Sequence, residues 1–156
     1  EAFSISDRVA IMDAGRIVQL DTPEILYRKP TSAFVARFVG FENLINLRIT
    51  AREGEIVIAE GEGGVRLSLD QRDLGAIPDR FTLAARADGL TAISGADGDG
   101  IPAMLGGRVF LGRTYQYRCA TPLGALIANG PLINGAEQAA QLQINPEHCC
   151  ILDHQA

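Results

Sequence analysis

Residues 44–69 read LINLRITAREGEIVIAEGEGGVRLSL, and the fold is decided by how their apolar positions repeat. Leu44-Ile45-Asn46-Leu47-Arg48-Ile49 leads to a turn at Glu53-Gly54, Ile56-Val57-Ile58-Ala59 leads to the glycine-rich step from Gly61 to Gly64, and Val65-Arg66-Leu67-Ser68-Leu69 alternates apolar with polar. Strand-like periodicity broken by glycine turns predicts a three-stranded meander. Beyond it, Asp70 to Pro78 reads as a polar loop and Phe81 to Arg86 as a further strand. The run Ser94-Gly95-Ala96-Asp97-Gly98-Asp99-Gly100 is too rich in Gly and Asp for a regular element and predicts a loop or linker. Segments Ile101 to Leu111, Thr114 to Thr121, Ala125 to Ala128 and Ala139 to Ile144 are each bounded by Gly or Pro. Short strands at this spacing predict a small barrel or sandwich. Inside it, the Leu111-Gly112 step permits a bulge or a sharp bend between strands.

Two segments, Leu83 to Ile93 and Leu142 to Leu152, align without gaps, each as a strand, a tight turn carrying an acid, and an apolar end. Two matches of this quality do not by themselves establish a repeat fold.

Upstream of the meander the pattern differs. Val9-Ala10-Ile11-Met12 turns at Asp13-Ala14-Gly15 and returns along Arg16-Ile17-Val18-Gln19-Leu20, which predicts a β-hairpin. Thr22-Pro23-Glu24-Ile25 places a hydroxyl at the N-cap, proline at the first helical position and an acid in the first turn, so a helix follows and ends before Pro30. Thr31 or Ser32 caps a second helix, whose Phe34, Val35 and Phe38 form an apolar face before Gly40.

The chain has 156 residues, of which 47% are hydrophobic, and a formal net charge of -5. Such a length fits one ordinary domain, or a small domain with a fragment beside it. The acidic balance does not attract a phosphate backbone or an anionic membrane surface, so nucleic acid is not an expected partner. Residues 1–4, EAFS, have no signal-peptide character, and no apolar run approaches the roughly 20 residues that span a bilayer, which predicts a cytoplasmic location.

Cys119, Cys149 and Cys150 are too few and too unevenly placed for a disulfide framework. His148, Cys149, Cys150 and His154 invite a metal site, but neighbours on a strand point to opposite faces, so one buried and one exposed thiol is the expectation. Asp97, Asp99 and Gly100 invite calcium, yet the further oxygen ligands of such a loop do not follow. His148 beside Cys149 is likewise no base–nucleophile pair, because adjacent side chains diverge.

Taken together, Glu1-Ala2, Asp7-Arg8, Met12, Gly15, Ile17, Gln19, Thr22-Pro23, Ile25, Tyr27, Pro30, Phe34-Val35-Ala36 and Phe38-Val39-Gly40 resemble the end of the nucleotide-binding domain of ABC importer ATPases, in the polyamine, iron, sulfate, molybdate and sugar branch. Asp21 departs from the family, which has Gly there. Residues 41–156 resemble the TOBE domain that follows that core, an OB-like β-barrel. Arg86-Ala87-Asp88 stands where the family has R-P-E, Leu111-Gly112 with Tyr115 and Tyr117 stands at a strand-pair motif, and Pro146-Glu147 stands at a second P-E.

The resemblance implies a boundary at residue 40, with 1–40 a remnant of the ATPase domain and 41–156 a regulatory barrel. It also implies that the barrel holds two ATPase subunits together as a homodimer, with Phe110, Leu111, Tyr115 and Tyr117 as candidate contacts. A parent protein of this kind uses ATP and Mg²⁺, works with membrane-embedded permease subunits and lies at the cytoplasmic side of the inner membrane. The chain itself has no G-x-x-x-x-G-K-[ST] phosphate loop and no Leu-Ser-Gly-Gly-Gln signature, its sole lysine is Lys29, and the Val9-to-Asp13 strand is followed by Ala14-Gly15 rather than Glu. A non-catalytic C-terminal fragment that starts just past the switch histidine, with no cofactor of its own, is the expectation.

Two other readings compete. Small-ligand sensing of an oxyanion or of the transported solute would use Arg108, Arg113 and Arg118 with free backbone amides. Single-strand nucleic-acid binding would need aromatic platforms on a basic face, against the acidic balance and the lack of Trp. The apolar positions Val9, Ile11, Phe34 and Phe38 are expected to lack a partner within this chain.

Overall fold

The computed structural model describes residues 7–95, 98–134 and 138–154. The Glu1-Ala2 part of the motif and Asp97 of the Gly/Asp run lie outside the described residues. The chain is mainly β, as the periodicity requires, and includes a small closed barrel.

Strands β1 (Val9–Asp13) and β2 (Arg16–Asp21) form the expected hairpin. Its turn holds Ala14 at φ 50 and Gly15 at φ 77. Helix α1 (Pro23–Arg28) follows, with Thr22 Oγ1 accepting from the Ile25 amide, and α2 (Ala33–Phe38) is capped by Ser32, whose Oγ accepts from the Val35 amide at 3.2 Å. The buried face of α2 is Val35, Ala36 and the adjoining Val39. Phe34 and Phe38 point the other way and are 40% and 65% exposed. The expected grouping of Phe34 and Phe38 with Val35 is thus corrected: in a helix of six residues the sheet beneath selects the face, and it selects the smaller side chains.

The meander is β3 (Asn43–Glu53), β4 (Ile56–Glu60) and β5 (Arg66–Asp70). A one-turn helix α3 (Gln71–Leu74), capped by Asp70, occupies part of the segment read as a loop. Then come β6 (Arg80–Ala85), β7 (Leu90–Ser94), β8 (Ile101–Phe110), β9 (Tyr115–Thr121), β10 (Gly124–Gly130), β11 (Ala139–Ile144) and β12 (Cys149–Asp153). They divide into an open sheet of order β12-β6-β3-β4-β5 and a closed barrel of order β10-β7-β11-β8-β9.

The gapless internal match is realised element for element. β6, a 3₁₀ turn at Ala87–Gly89 and β7 correspond to β11, a 3₁₀ turn at Pro146–His148 and β12. Each unit has one strand in either sheet, and the units pair with each other twice: Ala85 lies opposite Cys149, and its equivalent Ile144 lies opposite Leu90. At the crossing the bonds are reciprocal, with the Arg86 amide donating to His148 O (3.0 Å) and the Asn145 amide donating to Gly89 O (2.8 Å). Sheet and barrel are also stitched by Asn43, which is buried; its Nδ2 donates to Ile127 O and its Oδ1 accepts from the Ile127 amide, both at 2.8 Å.

One face of the open sheet shares a core with the barrel interior, where Leu47, Val57, Phe81 and Leu83 meet Leu90, Ile101, Tyr117 and Leu142. The opposite face, at the β12-β6-β3 end, is covered by the N-terminal segment. There Ile11, Leu26, Val35, Ala36, Val39 and Phe41 pack on Ala84 and Leu152. A strand buried on both faces reads as a nearly continuous apolar run, which Phe81 to Ala85 is but for Thr82, whose hydroxyl is hydrogen-bonded. Ile11 is accordingly buried and Val9 packs beside it, so the expectation that both lack a partner is corrected; it holds for Phe34 and Phe38.

Candidate functional site

Two features stand out where the chain has chemistry beyond core packing. The first is the joint between the N-terminal segment and the sheet, built around Arg86 at the end of β6. Its guanidinium is buried, with Nη1 donating to Val39 O just past α2 and Nη2 donating to Tyr27 O in the last turn of α1 at 2.6 Å. The same plane lies 3.6 Å from the Tyr27 ring centre and 4.1 Å from that of Phe41. Only arginine's flat fork can reach two helix ends while stacking on two rings. Burial lowers its pKa, which nearby Tyr27 and Asp88 oppose, and an arginine stays charged regardless. Gly40, at φ +99, completes the joint, since a Cβ there would sit 2.8 Å from the Arg86 Nη1. The sequence placed Arg86 in a motif but gave no sign of this clamp.

Beside it, Asp88 and His148 from the two 3₁₀ turns lie 3.6 Å apart, and the Cys149 thiol donates to Asn145 O at 3.3 Å. Among the described residues no group of three or more His, Cys, Asp or Glu is placed to hold a metal ion. Cys149 and Cys150 are both partly buried rather than one in and one out, because the N-terminal segment covers the outer face of β12. Burial pushes their thiols up to about 12 and about 11, and that of Cys119 to about 11. Thiolate is the reactive form, so alkylation by iodoacetamide at pH 8 is expected only after unfolding. The unfolded chain ionises near the ordinary value of 9.0 while the fold retains the protons. Stability is therefore full below pH 9 and falls as pH rises toward 11 and 12; alkaline denaturation monitored by circular dichroism checks it, and a flat profile from pH 8 to 11 would refute it.

The second feature is the β8–β9 hairpin. Leu111 N donates to Thr114 O and Gly112 has φ +96, so the Leu-Gly step makes the turn, whereas the register shift in β8 falls between Leu105 and Arg108, at Gly106-Gly107. Val109, Phe110 and Leu111 are 59%, 62% and 49% exposed, and Leu132 nearby in sequence to β10 is 45% exposed. Tyr115 is half-buried, its ring centre 5.1 Å from that of Phe110 with the planes tilted by 46°. Tyr117 is a correction: it lies inside the barrel at 1% exposure, its hydroxyl donating to Pro131 O and accepting from the Ile133 amide. Two residues apart on a strand, Tyr115 and Tyr117 share a face, and the barrel closes over only the latter.

Of the basic trio, Arg108 and Arg118 border one cavity of about 530 Å³ that Glu42 also lines, while Arg113 sits in the exposed turn and does not. Arg108 is already engaged, donating to Ile133 O and lying 5.4 Å from the Tyr115 ring.

The motifs resembled those of an importer ATPase, and the homologues are ATP-binding subunits of ABC importers, matching most of this chain. Over 127 residues the chain is 33% identical to the spermidine/putrescine import ATP-binding protein PotA 1 of Pseudomonas aeruginosa, covering 81% of the chain and 34% of that protein. It is 32% identical to the protein of the corresponding name, PotA, from Rubrobacter xylanophilus, over 97% of the chain and 42% of that relative. The Fe(3+) ions import ATP-binding protein FbpC of Agrobacterium fabrum is 32% identical over 81% of the chain and 35% of its own length. The chain thus spans about a third to two fifths of these relatives. No protein-family model matches it.

Proposed function

We propose that the chain is the C-terminal part of an ABC importer's ATP-binding subunit, in which residues 41–156 form a TOBE-type regulatory and dimer-forming unit and residues 1–40 are the edge of the nucleotide-binding domain. The observation that supports this most directly is the placement of the N-terminal segment. It is held to the β-sheet through Arg86, while Met12, Ile17, Phe34 and Phe38 remain 56%, 58%, 40% and 65% exposed. An apolar surface of this extent next to a solid internal joint suits a seam to a further domain. In this reading the fragment is non-catalytic and holds no cofactor. The parent binds ATP and Mg²⁺, engages membrane-embedded permease subunits from the cytoplasmic side of the inner membrane, and does not bind nucleic acid.

The dimer contact in this reading is the tip of the β8–β9 hairpin, where Val109, Phe110 and Leu111 present apolar surface that a two-fold axis would pair with itself. Sedimentation at micromolar concentration is expected to show a dimer, and Phe110→Glu is expected to convert it to a monomer by burying a charge against a charge. A monomer for the unaltered chain at every concentration would sink the proposal. Ligand sensing is the second reading; it is supported by the cavity that Arg108 and Arg118 share and weakened by Glu42 in the same wall.

A further inference from the structure

The outer face of the open sheet changes character along its strands. Next to the N-terminal segment it is apolar, with Leu44, Ala84 and Cys150. One row further, Thr82 Oγ1 donates to Asn46 Oδ1. The row after that is charged: Arg80 of β6 lies opposite Arg48 of β3, Arg48 opposite Glu60 of β4, and Glu60 opposite Arg66 of β5. Three arginines and one glutamate share a cross-strand row on a chain whose net charge is -5. Like charges directly opposite on neighbouring strands repel, so the Arg48–Arg80 pair costs stability unless something negative lies between its forks.

The protein supplies little of that. Arg48 reaches Glu60 with one nitrogen at 3.4 Å, both side chains being partly exposed, and Arg80 makes no ion pair among the described residues. Both arginines line a cavity of about 270 Å³, bordered also by Asn46, Glu60, Glu62 and His154. Gly61 also lines it, lying close to Leu47 and Leu123, where a Cβ would come 2.8 Å and 2.5 Å from their methyl carbons. Arg48 and Arg80, paired on neighbouring strands, thus line one space of small-solute size.

We propose that this cavity binds a small solute through an oxyanion group, phosphate or carboxylate, held between the guanidinium forks of Arg48 and Arg80. Two forks converging on one oxyanion give short, charge-assisted hydrogen bonds and relieve the repulsion between them. Glu60 and Glu62 at the wall favour a ligand that also carries donors, such as a hydrogen phosphate or an amino-acid zwitterion, over a bare polyanion. This site is separate from Arg108 and Arg118, and it stands or falls independently of the importer assignment.

Titration of the isotope-labelled chain with inorganic phosphate at constant ionic strength, followed by amide chemical shifts, tests it. Saturable shifts are expected at Asn46, Arg48, Glu62 and Arg80. Arg80→Gln is expected to weaken binding at least tenfold, whereas Arg66→Gln, in the same row but outside the cavity, is expected to change it less than twofold. Parallel titrations with acetate and with glycine distinguish a phosphate from a carboxylate or zwitterion as the preferred group. The absence of saturable shifts with all three solutes overturns the proposal, and so does equal weakening by Arg80→Gln and Arg66→Gln, which would report a diffuse field and no site.

Discussion

Replacing Arg86 with methionine is expected to lower the unfolding free energy by about 3 kcal/mol and to free the N-terminal segment from the sheet before the barrel unfolds. The change removes two hydrogen bonds from a charged donor, each worth ~1.5–3 kcal/mol in a buried setting, and leaves Val39 O and Tyr27 O without their donor. It also removes the cation stacked between the Tyr27 and Phe41 rings. Methionine fills much of the volume, so the loss reports the fork rather than a hole. Arg86→Lys is expected to recover little of it, since a point charge cannot bond two carbonyls and stack on two rings at once. Denaturant unfolding gives the energy, and limited proteolysis shows where the chain opens: early cleavage between residues 29 and 42 is the expected pattern. A loss under about 1 kcal/mol with no early cleavage would show that apolar packing of Ile11, Leu26 and Val35 alone holds the joint.

The second large effect belongs to Gly89. It ends the 3₁₀ turn at the crossing of the two repeated units, and a Cβ there would lie 2.7 Å from His148 O, 3.1 Å from the Cys149 sulfur and 3.2 Å from the Ala85 Cβ. Its carbonyl accepts from the Asn145 amide across the same crossing. Gly89→Ala is therefore expected to push the units apart and to cost ~2–3 kcal/mol by overpacking. Gly107→Ala, where nothing lies within 4 Å of the added carbon, is expected to cost under about 0.5 kcal/mol. Similar melting temperatures for the two variants would mean that the crossing tolerates a wider gap than its backbone contacts indicate.

Most elements were legible because they obey local rules. The hairpin at Asp13-Ala14-Gly15 and the caps at Thr22 and Ser32 depend on residues within four positions of one another. The meander needs only alternation and glycine turns. The gapless match of Leu83–Ile93 with Leu142–Leu152 was visible as well, but its meaning was not. That the two units pair with each other, each placing one strand in either sheet, is a long-range fact that two short strings do not encode.

The site was less legible. Phe110 and Leu111 could be singled out as apolar residues next to a turn, and they are exposed. Tyr117 could not be told from Tyr115, because which of two tyrosines on one face is covered depends on where Pro131 and Ile133 pass over the barrel. Phe34 and Phe38 read as one apolar face with Val35, yet the structure parts them from it, since Val35, Ala36 and Val39 fit the sheet while the two rings stay exposed. The adjacency of Arg48 and Arg80 is a matter of register between strands far apart in sequence.

By itself, then, the sequence determined the mainly-β class and the N-terminal hairpin and capped helices, carried by periodicities and spacings short enough to survive in one dimension, and its motifs resembled those of importer ATP-binding subunits. Only the tertiary structure decided that Arg86 clamps the N-terminal segment to the sheet, that β6 is buried on both faces, and which apolar and charged side chains are left outside. Those outcomes turn on competition between faces for a limited buried area, and such competition is resolved only when the whole chain is packed.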